Sequence, residues 1–391
     1  MSCLGLKQKS ALIPLLAHSV HQAVAVKNGK IIDRTTFLRH VYSLAASLPQ
    51  HQYAINLCED RYHFLVAFAA AIVKGQCNLL PPSHSAKTIE AVAADYEDCY
   101  CLLDHDFEAL ALAKHQIQLK SSDVNEVEMD VPQIPEDHLA VIAFTSGSTG
   151  QPSANPKRWG RLVRVTKLIQ ASFGIESRQP LSVVATVPPQ HMYGLETSIL
   201  LPLLSASCVY AGRPFFPADI RHALDETDGA KILVTTPIHL RACVEAQLSW
   251  PPVEFIISAT APLAPQLAQQ AEGVFGAPVM EIYGCTEFGS LANRRTLDGD
   301  EWKLFAGLTL HQSENDFFVN ADFLQHAVTL SDHLELMPPH RFKLLGRKAD
   351  MVNIAGKRAS LSDLNLKLQS IAGIKDAVMF YPGDTNDYTA R

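Results

Sequence analysis

The sequence predicts an α/β fold in which helices cover mainly parallel sheets. Three observations carry that expectation. Short strand-like apolar runs alternate with helix-like ones. Each strand–helix–strand passage is closely spaced, which implies right-handed parallel units. The chain has 391 residues, 47% hydrophobic and 19% charged, an ordinary globular composition too long for one hydrophobic core.

The elements follow in order. Residues 35–48 space their apolar side chains by three and four, an amphipathic helix that Pro49 closes. Residues 53–57 read as a strand, 62–74 as a buried helix ending at Gly75, and 76–80 as a strand stopped by Pro81 and Pro82. The pattern recurs over 181–187, 202–205, 208–211, 217–227, 231–235, 237–248 and 255–258. No repeat or low-complexity segment interrupts it. The apolar stretch at 10–17 contains Pro14 and reads as a first helix or strand of the fold. The apolar run 65–73 falls well short of the ~20 residues that a membrane span needs, so no membrane anchor is expected. Lys plus Arg number 33 against 40 Asp plus Glu, a net −7 that argues against a nucleic-acid partner. Eight cysteines without a C-x-x-C pair read as reduced thiols, which points to the cytoplasm.

Two strings carry chemistry. Thr145-Ser146-Gly147-Ser148-Thr149-Gly150 follows the apolar run 139–144, and Tyr283-Gly284-Cys285-Thr286-Glu287 follows 279–282. Phosphate is bound by small residues, free N–H groups and hydroxyls, and phosphate-bound magnesium takes a carboxylate oxygen. Together they suggest a nucleoside triphosphate site. The first string is not a Walker loop, lacking the Gly-Lys-Ser/Thr ending, nor a hydrolase nucleophile elbow. Cys285 reads as a small packing residue, because no base accompanies it in sequence.

Further strings follow in a fixed order: Pro188-Pro-Gln-His-Met-Tyr-Gly194, Ser258-Ala-Thr-Ala-Pro-Leu263, Ser331-Asp332, and Gly346-Arg-Lys-Ala-Asp350. In this order the series resembles the adenylate-forming superfamily of acyl-CoA synthetases, aryl-acid ligases and peptide-synthetase adenylation domains. The resemblance spans about residue 139 to the C-terminus. It implies a large N-terminal adenylation core over 1–345, a hinge at 346–350 and an incomplete small α+β domain over 351–391. It also implies an ATP-dependent ligase that joins a carboxylic acid to a pantetheine thiol, on CoA or on an acyl carrier protein, through an acyl- or aryl-adenylate.

Residue roles come with the resemblance. The hydroxyls and amides of Thr145, Ser146, Gly147, Ser148, Thr149 and Gly150 would cradle phosphates. Ser258, Ala259 and Thr260 would lie against adenine, as would Tyr283, with Gly284 and Cys285 lining the same site. Thr286 would donate to the α-phosphate and Glu287 would bind Mg2+. Asp332 would hold the ribose diol, which suits a carboxylate because it accepts from both hydroxyls, and Arg347 would reach ribose or phosphate. His191 would gate the passage between acid and thiol, and Tyr193 and Gly194 would line the acid pocket.

Three departures stand out. The family's loop continues Gly-x-Pro-Lys, whereas here Gln151-Pro-Ser-Ala-Asn-Pro-Lys157 delays the lysine, leaving Lys157 to reach phosphate through a longer loop or Arg158 to supply the charge. The hinge carries Ala349 followed by Asp350 where an Asp or Lys is usual. About forty residues follow Arg347, while the family's C-terminal domain of roughly a hundred residues ends near a catalytic lysine; Lys357 and Lys367 do not sit in that lysine's motif. A nucleotide- or acyl-binding module with little turnover is therefore the alternative. A nucleotide hydrolase lacks a water-activating residue. The compact N-terminal region is similar to ligases of aryl-polyene pigment clusters, which favours an aromatic acid, with a medium-chain fatty acid second.

Overall fold

A computed structural model of the chain describes residues 10–107, 110–119, 128–146, 152–178, 180–337, 339–348, 351–354, 357–361, 364–365, 368, 371 and 378–380. Two large sheets dominate. The smaller has six strands in the order Pro152–Arg158, Leu139–Ser146, Cys77–Leu80, Tyr53–Asn56, Cys99–Leu103 and Lys114–Gln116. All neighbours in it are parallel except the first pair, an antiparallel hairpin.

The larger sheet has eleven strands. Its middle runs Val279–Cys285, Phe255–Ser258, Ala230–Thr235, Leu181–Ala185, Cys208–Tyr210 and Ala23–Lys27, parallel throughout. The α/β expectation therefore holds, with a difference at the margins. Both edges of this sheet turn antiparallel: Lys30–Asp33 on one side, and Gly289–Arg295, Glu301–Leu304, Arg341–Arg347 and Asp332–Met337 on the other. Tight turns are the reason. Asn28 and Gly29 have φ of 51° and 70°, the paired left-handed conformation that closes a two-residue hairpin. A three-stranded antiparallel sheet (Thr309–Ser313, Asp316–Asn320, Val328–Leu330) and the hairpin Met351–Ile354/Lys357–Ser360 follow.

The expected helices at 35–48 and 62–74 are Arg34–Ser47 and Arg61–Val73. Their starts are fixed by carboxylate caps: Asp33 accepts from the Thr36 amide at 2.8 Å and Asp60 from the His63 amide at 2.9 Å. Nearly every side chain of the second helix is buried, as its unbroken apolar run requires. The stretch 202–205 overlaps a helix, Leu201–Leu204, that continues a π-helical turn, Glu196–Leu200. The apolar stretch near the N-terminus forms the strand Leu12–Pro14, paired with Gln133–Pro135. Among the described residues no helix is long and apolar enough to cross a membrane.

Candidate active site

In α/β sheets ligands bind beyond the carboxyl ends of the parallel strands. The motif residues fall there. Thr145 and Ser146 end the strand Leu139–Ser146, Ser258 ends Phe255–Ser258, and Cys285 ends Val279–Cys285. The strand Leu181–Ala185 leads out to His191. Gly147, Ser148, Thr149 and Gly150 lie outside the described residues, as do Ala349 and Asp350.

Ser258 stands between Thr235 and Glu281 in register, and its hydroxyl is buried without a protein partner. Ala259 is half-buried and Thr260 exposed. Thr260 has φ of 77°, a left-handed conformation that strains a β-branched residue. The far end of this turn is anchored by a buried carboxylate. Glu281 Oε1 accepts from the Leu263 amide at 3.2 Å, while Oε2 accepts from Arg294 at 2.6 Å and from the Thr296 hydroxyl at 2.7 Å. The Arg294 guanidinium lies over the Trp302 ring, 4.6 Å from its centroid, and Trp302 packs against Tyr283 at 5.6 Å. Glu281 thus supports both the turn and the Tyr283 ring.

The Tyr283 hydroxyl donates to Asp332 Oδ2 at 2.7 Å. Asp332 in turn faces Arg347 directly across an antiparallel register. Three residues singled out separately in the sequence are therefore brought together. Burial, then the neighbouring Asp332 carboxylate, pushes the Tyr283 phenol far up, so it stays a hydrogen-bond donor.

Thr286 is half-buried and Glu287 exposed, in the turn joining Val279–Cys285 to Gly289–Arg295. Gly284 is exposed, and the Cys285 thiol is pushed up to about 12 by burial and then by the Glu287 charge. Lys157 lies on the hairpin strand Pro152–Arg158. In the hairpin Ser153 faces Thr145, whereas Lys157 faces Val141, four positions back along the strand and roughly 13 Å away. Its ammonium is buried and donates to the backbone carbonyl of Glu287 at 2.7 Å. Burial, then Arg161, lowers it to about 8. Arg158 is exposed and donates to the Asp137 carbonyl.

His191 is exposed and precedes the short helix Met192–Leu195. Desolvation in its surroundings, then Arg213, holds it below the ordinary imidazole value. Tyr193 is half-buried, with its hydroxyl 3.0 Å from the Thr235 carbonyl and 2.8 Å from that of Ile257, at the ends of two parallel strands. A Cβ on Gly194 would lie 1.9 Å from the Pro188 carbonyl, so only glycine fits that close crossing.

Sequence reading missed three charged residues that build this region. Arg61 is fully buried and donates to the Ala185 and Val187 carbonyls, both at 2.9 Å, and to the Ser198 hydroxyl. It pins the strand end that leads to His191. Its one signal was a charge opening an otherwise apolar run. Glu281 and Glu196 are the others, and each is a lone acid inside an apolar segment. Burial above all pushes Glu196 up to about 7.

The backbone arrangement is that of adenylate-forming ligases. It superposes on O-succinylbenzoate coenzyme A synthetase from Bacillus subtilis in complex with AMP with a TM-score of 0.77, at 16% identity, covering 92% of this chain and 82% of that one. The same enzyme in complex with ATP and magnesium ion gives 0.74, at 14% identity, covering 90% and 82%. A family model for AMP-binding enzymes matches residues 37–314, and the chain belongs to that family. It is also 26% identical over 240 residues to 4-coumarate–CoA ligase from Rhodobacter capsulatus, covering 61% of this chain and 60% of the relative. The chain thus spans less than two thirds of that curated relative's length.

Proposed function

We propose that this protein is an ATP-dependent acid–thiol ligase. A carboxylate oxygen of the acid bonds to the α-phosphorus of ATP and the bond to the β-phosphate oxygen breaks, releasing pyrophosphate. A pantetheine thiol then attacks the resulting mixed anhydride, its proton leaves, and AMP departs. The observation that carries this reading is the Tyr283–Asp332 hydrogen bond with Arg347 opposite, which brings together residues distant in sequence that would form a wall for purine and ribose.

Asp332 would accept from the ribose hydroxyls and Arg347 would hold ribose or phosphate. The unpartnered Ser258 hydroxyl and the strained Thr260 suit a turn completed by a base. Thr286 would donate to the α-phosphate, and Thr145 to Gly150 would cradle the outer phosphates. The exposed Glu287 carboxylate would hold Mg2+, which when bound shares the phosphate charge that otherwise repels the attacking carboxylate. His191, Tyr193 and Gly194 would line the passage for acid and thiol. Residues 1–345 would form the core, 346–350 the hinge, and 351–391 the start of a small domain.

Two relatives named for ring-bearing acids, 4-coumarate and O-succinylbenzoate, favour an aromatic acid, against others named for oxalate and malonyl. CoA is the favoured thiol on the same ground, with an acyl carrier protein as the other pantetheine source. Seven free cysteines among the described residues fit a cytoplasmic protein.

The test is pyrophosphate release that requires Mg-ATP and an added acid, screened across cinnamates, benzoates and medium-chain fatty acids. Glu287→Ala should remove the thermal stabilisation given by Mg-ATP while leaving the fold intact. An unchanged Mg-ATP shift in that variant would refute the metal assignment.

A further inference from the structure

The turn that carries Thr286 and Glu287 is gripped from beneath by three charged side chains. Lys157 Nζ and Arg161 Nη2 both donate to the Glu287 carbonyl, at 2.7 and 2.6 Å. Arg161 also reaches the Phe288 carbonyl at 3.4 Å, and its guanidinium lies 5.6 Å from the Phe288 ring centroid. Two residues on, Glu196 Oε2 accepts from both the amide and the hydroxyl of Ser290, at 3.0 and 2.6 Å. Lys157 and Glu196 are each only 2% exposed. A buried ammonium is costly to desolvate, and an apolar side chain of similar volume would pack there without that cost. The grips also come from separate elements: the strand Pro152–Arg158, the helix Trp159–Phe173 and the π-helical turn Glu196–Leu200.

From this geometry we infer that Lys157 is a positioning residue, the centre of a bracket with Arg161 and Glu196 that fixes the Thr286–Glu287 turn against the hairpin bearing Thr145. The hairpin makes the linkage direct. Lys157 leaves a strand whose antiparallel partner ends at Thr145 and Ser146, so one rigid ladder connects the Glu287 carbonyl to the hydroxyl loop. Two cationic donors on one carbonyl set the plane of the peptide that follows Glu287 and hence the aim of its carboxylate. The sequence's late lysine thus acts from behind the metal-binding carboxylate and does not touch phosphate.

The inference rests on the ligase reading for its consequence, and its test separates the two. Lys157→Met removes the donor at similar length, and Lys157→Gln keeps a donor without the charge. In the full chain, AMP affinity by calorimetry should stay within about twofold of wild type, because the Tyr283–Asp332 wall does not touch Lys157. The Mg2+ concentration for half-maximal ATP stabilisation should rise about ten- to a hundredfold in Lys157→Met, the usual effect of losing support behind a metal ligand. The turnover number for pyrophosphate release should fall with little change in acid KM, and Lys157→Gln should recover part of both. A folded Lys157→Met with wild-type magnesium dependence overturns the inference, as does a loss of AMP and Mg-ATP binding in equal proportion. If Lys157→Met does not fold, Lys157→Gln decides on the same measurements. A wild-type chain that never releases pyrophosphate would sink the ligase reading alone, since the binding comparison still stands.

Discussion

On the Tyr283 side of the cleft, Glu281 holds Leu263, Arg294 and Thr296, Asp332 holds Tyr283, and Lys157, Arg161 and Glu196 hold the turn beyond. On the His191 side the imidazoles are held below their ordinary value, beside the buried Arg61 and the exposed Arg213. His84 is lowered to about 4, first by burial and then by His105, Arg213 and His191, and its Nε2 is buried without a partner. Arg213 likewise depresses His191 and His239. The difference teaches which side must be rigid. A triphosphate site gains from dipoles and charges already fixed in place before the reaction. Under the proposed function the His191 side would pass the acid, and neutral imidazoles there would cost less to desolvate than charged groups.

The comparison can be broken by removing its strongest member. Glu281→Ala leaves the half-buried Arg294, the Leu263 amide and the Thr296 hydroxyl without their carboxylate, and should cost about 3 kcal/mol of stability. The denaturant midpoint should fall while His191→Ala leaves it near wild type. Equal loss in both variants would erase the proposed asymmetry.

Asp332→Ala comes next. It should weaken AMP and ATP alike, by about 2–4 kcal/mol, because a ribose contact is common to both nucleotides. Calorimetry with AMP alone suffices, and wild-type affinity would sink the ribose assignment.

Acid sharpens the His191 side. Unfolded His84 takes its proton near 6.5 and folded His84 near 4, so the unfolded chain gains protons first as pH falls. Stability attributable to this residue is intact above 6.5 and lost toward 4, by at most about 2 kcal/mol between pH 7 and 5. His18, buried against the Ser207 carbonyl and also lowered to about 4 by burial, adds in the same direction. His84→Asn should flatten the slope of midpoint against pH, and an unaltered slope would show that its imidazole is not kept neutral.

The smallest effect belongs to Thr260. Its left-handed φ is relieved by glycine, so Thr260→Gly should stabilise the apo protein by about 1 kcal/mol. AMP affinity should fall if the strained turn is preset for a base. A loss of stability would show that Thr260 is held by contacts worth more than its strain.

The sequence alone determined the α/β class, the middle of the larger sheet and the choice of Tyr283, Asp332 and Arg347 as separate candidates; that they meet is a finding of the structure. These are local properties: periodicity of apolar residues sets element type, and an ordered series of short strings carries the family. Capped helices such as Arg61–Val73 began within a residue of expectation because Asp60 and its following apolar run are adjacent in the chain. Tertiary structure alone decided the antiparallel edges, the burial of Arg61, Glu196 and Glu281, and the position of Lys157. Each of those depends on which distant backbone groups need a partner once water is excluded. Nothing around Lys157 in the sequence points to the Glu287 carbonyl on which its ammonium lies; pairing register and packing put it there, and register is a long-range property that no window of sequence contains.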